Sequence, residues 1–150
     1  MARLAEILTQ SAVRPQVVQA CAALIDAEVA SKSGIGGLAV KAGYKLVKAV
    51  KPTMVPDVVD KLLPEFAEAM QPMYEEALAN SRGGARSDAF AAHVGKDPAR
   101  VAAALLSVTD RRAEQASGPL KKTYARLRDT AETHVQAAVP GLVKALAPFV

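Results

Sequence analysis

PDVVDKLLPEFAEAMQPMYEEAL, residues Pro56 to Leu78, decides the fold class. Within it Val59, Leu63, Phe66, Met70, Met73 and Ala77 recur at steps of three and four, which keeps side chains on one side of an α-helix. Pro64 and Pro72 project off that stripe, so one bent helix, or two nearly coaxial ones, is expected rather than three pieces. A half-buried strand would need alternation in steps of two, and no stretch of the chain sustains it.

The same spacing extends in both directions. Upstream, a short helix is expected over Ala2 to Leu8. A second runs from Pro15 to about Ala30, with Val17, Val18, Cys21, Leu24, Ile25 and Val29 on one face. Ser31 to Gly34 reads as a break. A third helix starts near Ile35 and stops before Pro52, because the residue preceding a proline is steered out of helical geometry. Downstream, Asn80 to Ser87 reads as a loop with Gly83 and Gly84, and Asp88 to Val94 as a short helix closed by Gly95. Asp97 followed by Pro98 starts a helix carrying Val101, Leu105 and Val108 that ends at Ser117 to Pro119. A last long helix spans Leu120 to Val139, and beyond Pro140 a terminal segment should dock through Leu142, Val143, Leu146 and Phe149. The expected architecture is all-α: a compact, single-domain bundle of about five longer helices plus two or three short ones.

Composition narrows the function classes. Only 4% of residues are aromatic and none is tryptophan, so the core must be built from Ala, Val and Leu. Met1 to Gln10 lacks the apolar run of a secretory signal, and Cys21, the single cysteine, cannot form an internal disulfide, so a cytoplasmic protein is expected. The longest uncharged runs are about half of what a membrane span needs. Net charge is +4 but uneven: 7 basic and 3 acidic residues up to Val55, 1 and 6 from Pro56 to Asn80, 11 and 6 thereafter. An acidic middle between basic ends suits self-complementary packing as readily as an anionic partner.

Few positions carry candidate function. Lys41, Lys45, Lys48 and Lys51 form a stripe on the third helix, opposite an arc of Ile35, Ala39, Gly43, Leu46, Val47 and Val50. Such a helix can lie on an anionic membrane surface or receive an acidic protein partner; equally, its lysines can be the solvated side of a bundle helix. Glycine inside a helix costs about 1 kcal/mol relative to alanine, so Gly36, Gly37 and Gly43 ask for a reason: close approach of a second helix or an apolar ligand to the face of Gly36, Ala39 and Gly43, or Gly36 and Gly37 belonging to the preceding turn. Met54, Met70 and Met73 would be adaptable lining for such a ligand. Glu28 and Arg112 fall in line with apolar stripes near helix ends, either reaching solvent or entering an ion pair, conceivably with each other.

Catalytic and metal chemistry are poorly served. His93 and His134 lack carboxylate or cysteine neighbours at ligand spacing, and Cys21 falls on a core face where thiols are inert. Gly34 to Gly37 has neither the preceding strand nor the following Gly-Lys-Ser or Gly-Lys-Thr of a phosphate loop. Lys121, Lys122, Arg126 and Arg128 alternate with Asp129 and Glu132, and stacking aromatics are scarce, so nucleic acid is not an expected partner. No cofactor or metal is expected, and no residue pair nominates an enzyme; a homo-oligomer remains open.

The stretch ASKSGIGGLAVKAGYK, Ala30 to Lys45, resembles a family of small uncharacterised bacterial all-helical proteins, a domain of unknown function. Val55-Pro56, Leu62 to Phe66, Val108 to Asp110 and His134 to Gly141 continue the likeness over nearly the whole chain. The resemblance implies a bacterial source and supplies no substrate, reaction or site. Two readings follow from the residues themselves. The first is a non-enzymatic helical module that binds a protein partner or an anionic surface through the lysine-striped helix. The second is a carrier of an apolar or amphipathic small molecule held between the glycine-containing third helix and the bent helix. An enclosed apolar cavity favours the carrier; a filled interior favours the module.

Overall fold

The computed structural model of the chain describes residues 3–32, 34–81, 83–116 and 118–150, apart from the side-chain surroundings of Ile35, Gly36, Ala39, Leu120 and Thr123. Seven α-helices follow one another among these residues: α1 (Leu4–Leu8), α2 (Arg14–Ser31), α3 (Gly34–Val50), α4 (Met54–Ala79), α5 (Arg86–Val94), α6 (Pro98–Glu114) and α7 (Gly118–Leu146). A 3-10 turn, Ala147–Phe149, closes the chain. Five of the helices are long, two are short, and no strand occurs among the described residues.

α4 is the central element, touching α1, α2, α5 and α6, with α3 against its start. It stays helical through both prolines, because the stripe Val59, Leu63, Ala67, Met70, Met73 and Ala77 is buried along its whole length while Pro64 and Pro72 lie off it. α1 caps one side of it. Leu4 and Leu8 are fully buried, the Leu4 amide donates to Gln71 Oε1 at 2.8 Å, and Arg3 meets Glu68 at 2.6 Å. That bond engages the buried Gln71 side chain, whereas the buried Tyr74 hydroxyl has no hydrogen-bond partner among the described residues. α5 packs Phe90 edge-on against Tyr74, with ring centres 6.5 Å apart and both rings about 1% exposed. At the start of α6 the Asp97 side chain accepts from the Arg100 amide, which is the cap that Asp97-Pro98 implies.

Two elements depart from expectation. α7 runs straight through Pro140 to Leu146 instead of ending at Val139. A proline removes one helix bond, but Val139 just before it and Val143 and Leu146 after it are buried, and that burial outweighs the loss. α3 is turned over. Its inner side is Gly37, Val40 and Tyr44, whereas Leu38, Leu46 and Val50 are 67%, 67% and 75% exposed. Polar contacts hold it that way: the Tyr44 hydroxyl donates to the Asp26 carboxylate on α2, and the Lys48 ammonium lies 3.4 Å from the same group. A close backbone contact adds to this, since a Cβ on Gly37 would sit 2.8 Å from the Lys32 carbonyl carbon.

Candidate functional site

Below α3, the apolar sides of α2, α4, α6 and α7 leave a space between them, although α2 and α6 each pack on both α4 and α7. They enclose a cavity of about 430 Å3 that opens to solvent. Its floor is Leu63, Phe66 and Met70 of α4, and its walls include Leu24, Ile25 and Val29 of α2 and Leu105 of α6. α7 closes it with Ala131, Val135, Ala138 and Leu142. The apolar side of α7 thus faces the cavity, and Leu127 is 48% exposed at its edge. Val40 is the one described residue of α3 that reaches the wall.

Polar groups on this wall are few. Glu28 and Lys32 pair with each other at 3.7 Å, one turn apart on α2. Thr109, Thr130 and His134 complete the set. Cys21 also lines the cavity, and burial pushes its thiol up to about 11, so it is an unreactive wall group rather than a nucleophile. The arrangement offers no base beside a nucleophile, and no cluster of His, Cys, Asp or Glu among the described residues could hold a metal ion.

The side chains singled out in the sequence are scattered by the fold. Met70 lines the cavity, Met73 lies in the core at 4% exposure, and Met54 is half-buried at the start of α4. Gly43 is exposed, and a Cβ there would meet nothing within 4 Å; what surrounds Gly36 falls outside the described residues. The close helix approach comes instead at Gly141, whose Cβ would lie 2.5 Å from the tip of Leu24 where α7 crosses α2. That residue was legible in sequence only as part of a break after Pro140.

Of the four lysines, Lys48 pairs with Asp26 and Lys51 with Asp57 at 2.9 Å, which holds the Asp57 carboxyl below its ordinary range. Lys41 and Lys45 are exposed and have no carboxylate partner among the described residues. Glu28 and Arg112 are both paired, but not with each other: Arg112 makes a two-pronged bridge to Glu65 at 2.6 and 3.1 Å, at an open groove between α4 and α6. His93 meets Glu76 at 3.1 Å, and Arg100 grips the same carboxylate at 2.6 and 2.7 Å. The guanidinium first, and then His93, hold the Glu76 carboxyl down to about 2. Tyr124 and Arg128 of α7 converge on Asp110 of α6 in the same structural manner. These are clasps between helices, each joining elements that already touch.

A family model described as "Family of unknown function (DUF6918)" matches residues 4–150. The chain belongs to this family. No curated protein and no solved structure matches it. Family membership thus agrees with the all-helical likeness read from Ala30 to Lys45 and assigns no chemistry to the cavity or to α3. No helix among the described residues is long and apolar enough to cross a membrane.

Proposed function

We propose that the protein binds an apolar or amphipathic small molecule in the cavity between α2, α4, α6 and α7, and that it works as a carrier rather than as an enzyme. The supporting observation is the cavity itself: about 430 Å3 with an almost wholly hydrocarbon wall, within the range of small-molecule sites. Magnitude argues for an occupant. A closed, empty void of that size would cost on the order of 10 kcal/mol at about 24 cal/mol per Å3. A whole domain is stable by only about 5–15 kcal/mol. An opening to solvent and an apolar guest each relieve that cost. With polar groups confined to Glu28, Lys32, Thr109, Thr130 and His134, the buried part of the guest is hydrocarbon.

Titration of the protein with N-phenyl-1-naphthylamine tests this reading. The expected result is saturable fluorescence enhancement at one dye per chain, displaced by a long-chain fatty acid or alcohol. Absence of enhancement, together with a native mass equal to that of the bare chain, rejects it.

A second reading has its own support: α3 is a surface through which the protein meets a partner, either another protein or an anionic membrane. The exposed Leu46 and Val50 beside the unpaired Lys41 and Lys45 favour it, since an apolar patch rimmed by charge marks interaction sites.

A further inference from the structure

α3 combines three properties that other helices of the chain do not share. It carries no acidic residue over Gly34–Val50, its Leu38, Leu46, Val47 and Val50 are turned away from the body, and Lys41 and Lys45 have no carboxylate partner among the described residues. Leu38, Ala42, Gly43, Leu46, Val47, Ala49 and Val50 form an unbroken uncharged arc, and every one of them is exposed. At about 100° per residue, Lys41 and Lys45 border this arc on one side and Lys51 on the other. The inner side, by contrast, is fastened through Tyr44 and Lys48 to Asp26 and through Lys51 to Asp57. A helix fastened by its polar side and free on its apolar side has the geometry of one lying in a membrane interface. There the apolar arc enters the headgroup boundary and the lysine stems reach back to lipid phosphates.

We propose that α3 is a bilayer-contact helix that seats this protein on an anionic lipid surface, with Leu38, Leu46 and Val50 entering the boundary and Lys41 and Lys45 meeting the headgroups. The proposal rests on the reading of α3 as the partner-facing element and is independent of the cavity. Charge decides against a second copy: a two-fold contact through this face would set the lysines of one α3 against the same lysines of the other, with no carboxylate on either helix. Chemistry decides against a folded protein. Specific interfaces are anchored by Trp, Tyr and Arg in fitted pockets. The arc offers only Leu and Val around the small Ala42, Gly43 and Ala49, and a bilayer needs no shape match.

Co-sedimentation with vesicles of phosphatidylcholine alone and of phosphatidylcholine with phosphatidylglycerol tests the proposal. Lys41→Gln/Lys45→Gln and Leu46→Ser/Val50→Ser variants are run beside the wild type, with thermal melts to show that each pair is folded. The wild type should pellet with the anionic vesicles at low salt, weakly with neutral ones, and less as salt rises. The lysine pair should weaken partitioning roughly thirtyfold, from the usual contribution of a basic residue at an anionic surface. The serine pair should weaken binding to both vesicle types. Equal pelleting with the two compositions, or full binding by the serine pair, overturns the proposal. If instead the wild type ignores vesicles and forms a dimer that the serine pair dissolves, α3 still faces a partner but not a bilayer. If neither vesicle binding nor a dimer is found, the partner-facing reading falls with it.

Discussion

The two flanks of α4 are finished in opposite ways. Toward α1, α5 and α6 its neighbours are Leu4, Leu8, Phe90, Val94 and Val101, each no more than 2% exposed, and Tyr74 and Phe90 lock edge to face. Toward α2 and α7 the same helix offers Leu63, Phe66 and Met70 to a space that remains open. Hydrophobicity does not separate the flanks, because both are apolar. Side-chain size does. Where α5 supplies a phenylalanine, α7 supplies Ala131, Val135 and Ala138, too short to reach across. Interiors fill to crystal-like density when facing volumes add up, and on this side they do not. An open apolar chamber next to a filled core in one small fold reads as a place for something else.

Truncating matched aromatics sharpens that contrast. Phe90→Ala, in the filled flank, should cost about 3–5 kcal/mol and lower the melting midpoint by roughly 10 °C. Phe66→Ala, in the cavity wall, should cost roughly 1–2 kcal/mol, because one side of that ring already lacks packing partners. Urea denaturation of both variants checks this, and equal losses would mean that the two flanks are packed alike.

The glycine contacts give a second, smaller contrast. Gly37→Ala drives a methyl into the Lys32 backbone, which cannot yield, and should cost about 1–3 kcal/mol. Gly141→Ala meets only the tip of Leu24, which can swing into the cavity. The gain of about 1 kcal/mol in helix propensity should leave that variant close to neutral. A large loss at Gly141 would show that Leu24 has nowhere to go.

Acid should expose the clasps on the filled flank, with the smallest effect. Glu76 titrates near 2 in the folded protein against an ordinary value of 4.5. Its contribution is therefore complete above about pH 4.5 and is lost as pH falls toward 2. Between pH 6 and pH 3 the urea midpoint of the wild type should fall further than that of Glu76→Gln, and parallel declines would dismiss the Arg100–Glu76–His93 clasp as a source of stability.

Much of this architecture is legible in sequence, and the reasons for the remainder are physical. The stripe from Val59 to Ala77 and the Asp97-Pro98 start are local signals, and they specify α4 and α6 well. Pro140 is also a local signal, but burial of Val139 and Val143 on either side overrides it. Periodicity reveals the two sides of α3 and not which one meets the body; that choice depends on contact with Asp26 on the neighbouring helix α2. The cavity is less legible still, because it is a deficit of volume summed over side chains from several helices. Of the lining candidates Gly43, Met54, Met70 and Met73, only Met70 lies on its wall.

Filling the chamber from α7 tests the central claim most directly. In Ala138→Leu the added side chain projects into the cavity, and the account predicts a stability gain of about 0.5–2 kcal/mol together with loss of N-phenyl-1-naphthylamine binding. A variant that is destabilised by overpacking and still binds the dye as the wild type does would contradict it.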